Sequence, residues 1–430
     1  MSYYWRNLYL RITINRRKND RFLNFNDTNI TNNPPKSDMM DNEEIICRRC
    51  GSENLIKKGY AYSGARKGTR KQKYQCKECG MKTTGKAIEM VEPMPFQYEN
   101  QPLPERDWVA LTKAQLVEKQ MAFEMLEELF QQIEIIIDPE KKGRKNFNPK
   151  DVLMALALKT LNKSSARRLS SDLSWAKQEG FIEEKPYFTT MMSYARKPEM
   201  LDLIIELIRL SALPIKQLQD SFVCAIDATG VGTFQLNGAW LEFKHGKEEK
   251  KSIRNWVKLH GLIDTSTNIF LSADVTIGTA GDSPYLAPLV ESASKDFRIA
   301  TLTGDKGYSG RKNFEIVKGV EALPVMAFKS NATGNKKGSM IWSKCFQYYK
   351  EHPQEYMQIY HRRSKIEAVF GALKKRFGDS VLSKSLQGQK TETLLKVLLH
   401  NLACLTRLYY EQGLELQFST QVSKAPIKLF

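Results

Sequence analysis

Cysteine and histidine are scarce, at seven and five in 430 residues, and the cysteine number is odd. That excludes a disulfide framework and points to a reducing compartment. No apolar run approaches the roughly 18 residues that a membrane helix needs. The first 35 residues carry no apolar core followed by small residues, so no secretory signal is read there. Acid is also in deficit. Asp and Glu number 48 against 66 Lys and Arg, a net charge of +18, and a surplus of that size usually signals a polyanionic partner. What remains is a soluble globular composition, 41% hydrophobic and 27% charged, long enough for two or three domains.

The positive charge is focused. Between Ile45 and Lys86 stand 12 Lys or Arg against only Glu53 and Glu78, so this segment supplies +10 of the +18. It also holds two matched pairs, Cys47-x2-Cys50 and Cys76-x2-Cys79. Four thiolates in two such pairs make the tetrahedral set of a structural zinc ion, with every position taken and none left for catalysis. Gly51 and Gly80 follow the second cysteine of each pair and leave room for the backbone to turn. Basic residues alternate with Tyr60 and Tyr62 between the pairs. The module is read as a DNA-binding zinc ribbon, too small for a proper core without its metal.

Four regions and a linker follow from composition. Residues 1–44 read as a disordered leader, broken by Asn32-Asn33-Pro34-Pro35, and 45–92 as the zinc ribbon. Residues 93–104 form a proline-bearing linker. Residues 105–215 read as helical. Apolar residues recur at helix spacing from Thr112 to Ile137 (Leu116, Phe123, Leu126, Leu129). A second helix is expected to be capped by Asn148 with Pro149 at its first position. A break at Asn162–Ser165 and a further helix with Arg167 and Arg168 are compatible with a helix-turn-helix that contacts DNA, or with plain structure.

Residues 216–430 change character, with β-branched runs alternating with helix patterns. Strands are expected at Phe222–Ile226, ending at Asp227, then at Val257–Ile263, Ile269–Ile277 and Ile299–Leu302, the last leading to Asp305. Asp264 reads as a turn residue between the second and third. Helix, strand and a strong helix from Tyr360 to Phe377 complete the set. This element order is that of a ribonuclease H-like fold, a mixed five-stranded sheet with helices. Three carboxylates, Asp227, Asp305 and Glu367, then fall at points that such a fold brings together. Their mutual repulsion calls for cations, and two magnesium or manganese ions on oxygen ligands answer it. On an uninterrupted helix, Tyr360, Arg363, Glu367 and Lys374 land near 0°, 300°, 340° and 320°, one stripe about 60° wide. Asp274 and Asp282 read as spare acids, and His245, His260, His352, His361 and His400, which lack ligand spacing, as incidental. The basic loop from Lys329 to Lys344 reads equally as a DNA track or a solvated loop.

The motif Tyr360-x2-Arg363-x3-Glu367-x6-Lys374, with Asp305 in Gly-Asp-Lys-Gly-Tyr and Asp227 in Ile-Asp-Ala-Thr-Gly, resembles the DDE transposases of bacterial and archaeal insertion sequences. The resemblance covers about residues 145–410. It implies Asp227, Asp305 and Glu367 as the metal-binding catalytic triad, and Tyr360, Arg363 and Lys374 as phosphate contacts on double-stranded DNA. It also implies a homodimer in the DNA complex and a nucleoid-associated, cytoplasmic enzyme that cuts element ends and joins their 3′ hydroxyls to a target. The short span from Asp305 to Glu367 leaves no room for the large β insertion of some relatives, so their hairpin route is not carried over. The zinc ribbon is an addition to this branch. Two other readings stay open: a ribonuclease H-like nuclease without strand transfer, and an inactive, domesticated DNA-binding regulator.

Overall fold

The computed structural model describes residues 47, 52–62, 70–84, 107–136, 147–233, 256–334, 338–418 and 426–428. The leader, Cys50, the 93–104 linker and residues 335–337 of the basic loop lie outside the described residues. Two compact units divide the chain, Met1–Pro102 and Leu103–Phe430.

In the first unit β1 (Leu55–Tyr62), β2 (Arg70–Cys76) and β3 (Lys82–Thr84) form an antiparallel sheet in that order. The turn from β2 to β3 holds Cys79 and needs Gly80, whose φ of +71° few side chains tolerate. Its N–H donates to the Cys76 carbonyl at 3.0 Å.

The second unit opens with α1 (Trp108–Gln131), capped by Asp107, whose carboxylate accepts from the Ala110 N–H at 2.9 Å. The expected helix stops there. Glu134–Ile136 is a strand, β4, as its β-branched isoleucines favour, and it later pairs with a strand near the carboxyl end. Leu116, expected inward, is 80% exposed, and the buried face runs instead through Ala110, Ala114, Phe123 and Leu126. The small alanines on that face allow close approach to a neighbouring helix. The next helix, α2 (Pro149–Leu161), starts as expected. The Asn148 side chain accepts from the Lys150 N–H, and Pro149 occupies the first turn, where a missing N–H goes unfelt. Its residues Val152 to Thr160 are all buried, so it is a core helix. A 3-10 turn at Ala166–Arg168 leads to α3 (Ser170–Gln178), then α4 (Phe188–Tyr194) and α5 (Pro198–Ser211).

The sheet follows. β5 (Phe222–Thr233), β6 (Trp256–Asp264) and β7 (Phe270–Ile277) form an antiparallel meander. Asp264 closes the β6–β7 hairpin by accepting from the Thr267 N–H at 2.9 Å and from both nearby hydroxyls. After α6 (Leu286–Ser294), β8 (Ile299–Gly304) pairs in parallel with β5. After α7 (Arg311–Gly319), β9 (Leu323–Met326) pairs in parallel with β8. Then come α8 (Met340–Glu351), α9 (Pro353–Tyr360), α10 (Ser364–Phe377), β10 (Ser380–Val381), α11 (Leu386–Gln412) and β11 (Pro426–Lys428). The main path reads β7-β6-β5-β8-β9, and β10 adds a sixth strand by pairing with Gly232 and Thr233 of β5. Among the described residues no helix is long and apolar enough to cross a membrane.

Two expectations need correction. β5 does not end at Asp227 but runs on to Thr233, because Gly230 and Gly232 serve as strand residues: Trp256 packs over the first and Ser380 over the second. And Tyr360 to Phe377 is not one helix. A 3-10 turn at His361–Arg363 separates α9 from α10, so 100° per residue does not apply across it.

The core of this unit is built around α11, which packs on α1, α2, α5 and β7. It buries polar groups as well as leucines. The Asn401 amide takes the place of a strand partner for Phe270, accepting from its N–H at 2.8 Å and donating to its carbonyl at 2.9 Å, and it also donates to the Ser211 hydroxyl. Lys159 of α2 and Glu392 of α11 pair at 2.8 Å in the interior. Glu392 also accepts from the N–H groups of Leu382 and Ser383. Lys396 donates to the carbonyls of Gly378 and Ser380 and ties down the end of α10.

Candidate active site

β8 stops at Gly304, which pairs with Ile226, so the next residue, Asp305, arises beside Asp227 on the neighbouring strand. The special point on β5 is therefore where its partner ends, not where β5 ends itself. Asp305 caps the 3-10 turn Lys306–Tyr308 by accepting from the Gly307 N–H at 2.7 Å. A Cβ on Gly307 would lie 2.9 Å from that carboxylate oxygen, so glycine is what permits the close turn.

α10 packs across β5 and β6 through Ile366, Val369, Phe370, Leu373 and Phe377, all buried. With this apolar side on the sheet, Arg363 at the head of the helix and Lys374 on it reach β5, and Glu367 meets Arg363. Arg363 donates through Nη1 to Asp227 Oδ2 at 2.7 Å and through Nη2 to Glu367 Oε1 at 2.5 Å. Lys374 Nζ donates to the Thr229 hydroxyl at 2.7 Å. Tyr360, at the end of α9, acts electrostatically on Arg363 and makes no direct hydrogen bond to the acids among the described contacts. Asp227 and Arg363 are largely covered, while the Glu367 side chain is 55% exposed and forms the open rim.

Burial pushes the Asp227 carboxyl up to about 6, against the opposing pull of the Ala228 N–H and Arg363, and the charges of Asp305 and Glu367 push it the same way as burial. Burial thus outweighs the guanidinium beside it. The Lys374 ammonium is depressed by burial, with Asp379 opposing.

Several residues that the sequence did not single out hold the Asp305 turn. The Asn313 amide donates to the Tyr308 carbonyl at 2.9 Å and to the Ser283 hydroxyl at 2.9 Å, locking the turn to the segment after β7. Lys258 fixes that segment through the Ala280 carbonyl and Asp282. His260 stacks on Tyr285 at 4.3 Å, and burial lowers its pKa to about 4, so it is neutral and structural. Among the described residues the buried Tyr308 hydroxyl has no hydrogen-bond partner, and it lies in the field of Asp282, Asp227 and Asp305. No spacing rule links these residues. The Asp282-Ser283-Pro284 turn was the one local cue available.

In the first unit the sulfurs of Cys47, Cys76 and Cys79 lie within 4.8 Å of one another, with Cys47 and Cys79 at 3.4 Å. Among the described residues this is the one group of three or more such side chains that close together. The three carboxylates of the second unit are wider apart.

An uncharacterized protein of Aquifex aeolicus (strain VF5) is 26% identical over 276 residues, which span 62% of this chain and 81% of that protein. A solved piggyBac transposase synaptic complex with hairpin DNA overlays with a TM-score of 0.34 at 10% identity, covering 70% of this chain and 77% of that chain. The segment that holds Asp227, Asp305, Arg363, Glu367 and Lys374 lies within residues 219–402, which match the family model of the transposase DDE domain.

Proposed function

We propose that the protein is a DNA transposase of an insertion sequence, with Asp227, Asp305 and Glu367 as its catalytic carboxylates. The observation that carries the reading is the grip of Arg363 on Asp227 and Glu367, which draws residues from a strand and a distant helix to one point. The sheet order, an antiparallel meander extended by two parallel strands, supports a ribonuclease H-like catalytic domain.

The donor set fits hard divalent cations. It is all oxygen, and a cation beside Asp227 would offset the burial and the like charges that raise its pKa. Magnesium or manganese ions, when bound, would supply the Lewis acidity for in-line displacement at phosphorus. Asp227, within β5, and Asp305, just past the end of β8, would hold those ions. Glu367, on the open rim, would complete the set from the solvent side. Arg363 would transfer one of its two carboxylate contacts to a phosphate oxygen, a change suited to its planar fork. Lys374, half-buried and held on Thr229, would contact the next phosphate, and Tyr360 the backbone beside it. The three converging sulfurs fit a zinc ion, for which tetrahedral Zn–S bonds imply S···S separations of about 3.8 Å. Cys50 is proposed as the fourth ligand. That basic module and the helices of 105–215 would bind element ends, with two copies of the chain pairing two ends.

The test is magnesium- or manganese-dependent cleavage and strand transfer on duplex carrying the element's own ends, comparing wild type with Glu367→Gln. The expected result is loss of both steps in the variant with DNA binding retained. DNA binding without chemistry in the wild type, under either metal, would overturn the enzyme reading in favour of a regulator.

A further inference from the structure

The turn after α2 contains a residue that local structure does not favour. Lys163 follows the helix C-cap Asn162 with φ of +49°, a left-handed conformation that glycine adopts freely and a lysine adopts at a cost. The turn itself would form with glycine, since its bonds are backbone bonds: Lys163 N–H to Thr160 carbonyl and Ser164 N–H to Lys159 carbonyl. A lysine in such a place is there for its side chain. That side chain is exposed, and its ammonium reaches the Lys375 carbonyl at 3.4 Å, in the last turn of α10.

This contact joins two basic surfaces. On one side are Lys374 and Lys375, about 12 Å along the helix axis from Glu367. On the other are Lys163, Arg167 and Arg168, with Arg167 lying over the Phe188 ring at 4.7 Å beside the exposed Tyr187. Among the described residues none of these five cations lies within ion-pair distance of a carboxylate. Four of the five, Lys163, Arg167, Arg168 and Lys375, are exposed, and exposed cations without an acidic partner suit a polyanion whose charges repeat along a line.

We propose that Lys163, Arg167, Arg168 and Lys375 form a phosphate-binding track that carries the DNA backbone away from the acidic site, with Lys163 as its hinge point. The proposal rests on the reading of this protein as a DNA enzyme. The track acts on backbone phosphates, so it adds affinity without adding sequence preference.

Lys163→Gly separates the two roles of the residue, because it should improve the fold while removing the contact. On the full-length protein, the melting temperature is expected to rise by about 2 °C. Affinity for a duplex is expected to fall about threefold to tenfold, equally for end sequence and random sequence, and the salt slope to drop by about 1. Lys163→Arg should keep wild-type binding. Arg167→Ala, which leaves the turn untouched, should weaken binding in the same sequence-independent way. If Lys163→Gly and Arg167→Ala bind DNA with wild-type affinity and salt slope, the track is overturned while the transposase reading stands. If the wild type binds no duplex at all, both fail together.

Discussion

Two carboxylates in the second unit, Glu392 buried and Asp227 half-buried, sit in opposite surroundings. Glu392, in the core around α11, feels burial most strongly, which would raise its pKa. Lys159, the Leu382 N–H and the Ser383 hydroxyl outweigh burial and hold the pKa below the ordinary range. Asp227, in the acidic site, also feels burial most strongly, and there the opposing groups lose, so its pKa stands at about 6. The core satisfies its charge from within. The site leaves its charge in need of something from outside. That difference separates a polar group that specifies the fold from one held ready for chemistry.

The contrast can be broken by substitution. Asp305→Asn should abolish end cleavage, by a factor of about 10³ or more, with a melting temperature unchanged within error. A matching loss of stability in a thermal melt would make Asp305 a core residue instead. Glu392→Gln should behave in the opposite way. Leaving Lys159 buried and unpaired should cost about 3 kcal/mol in denaturant unfolding, while specific activity of the folded fraction stays near wild type.

Asp227→Asn sharpens the comparison further. A carboxyl whose folded-state pKa is raised binds more protons folded than unfolded, so its contribution favours folding at low pH and is lost as pH rises toward 6. Removing the charge should therefore stabilise the protein in chelator at pH 7.5 by about 1–3 kcal/mol. The gain should shrink as pH falls from 6 to 4. A gain that is constant with pH would sink this account. Smallest of all, Tyr308→Phe removes a buried hydroxyl that has no hydrogen-bond partner among the described residues, so a thermal or denaturant melt should show a gain of about 1 kcal/mol.

Much of this was legible in the sequence because the signals were local. The Asn148-Pro149 start, the β-branched runs of β6 to β8 and the apolar face of α10 each report on their own segment. The rest depends on partners. α11 gave no amphipathic pattern because Thr391, Glu392, Lys396, His400 and Asn401 are buried beside its leucines. β5 looked shorter than it is because Gly230 and Gly232 are weak strand formers on their own, and Trp256 and Ser380 pack against them only in the fold. The stripe from Tyr360 to Lys374 assumed a continuous helix, and the 3-10 turn at His361–Arg363 was invisible to a period count. Asn313 and Tyr308 hold the Asp305 turn through tertiary contacts alone.

The pairing of early with late segments also sets a timetable. Asp227 leaves the ribosome roughly 10 s before Arg363 and Glu367 at ordinary rates of synthesis. α1 and α2 meet each other and the helices α3 to α5 early, but their main packing partner, α11, follows much later. A nascent chain therefore carries its first aspartate without its neutralising arginine, and its early helices wait for the last long one. The acidic site comes together only once Arg363 and Glu367 have been made, so a message truncated before them would yield a protein with no assembled site.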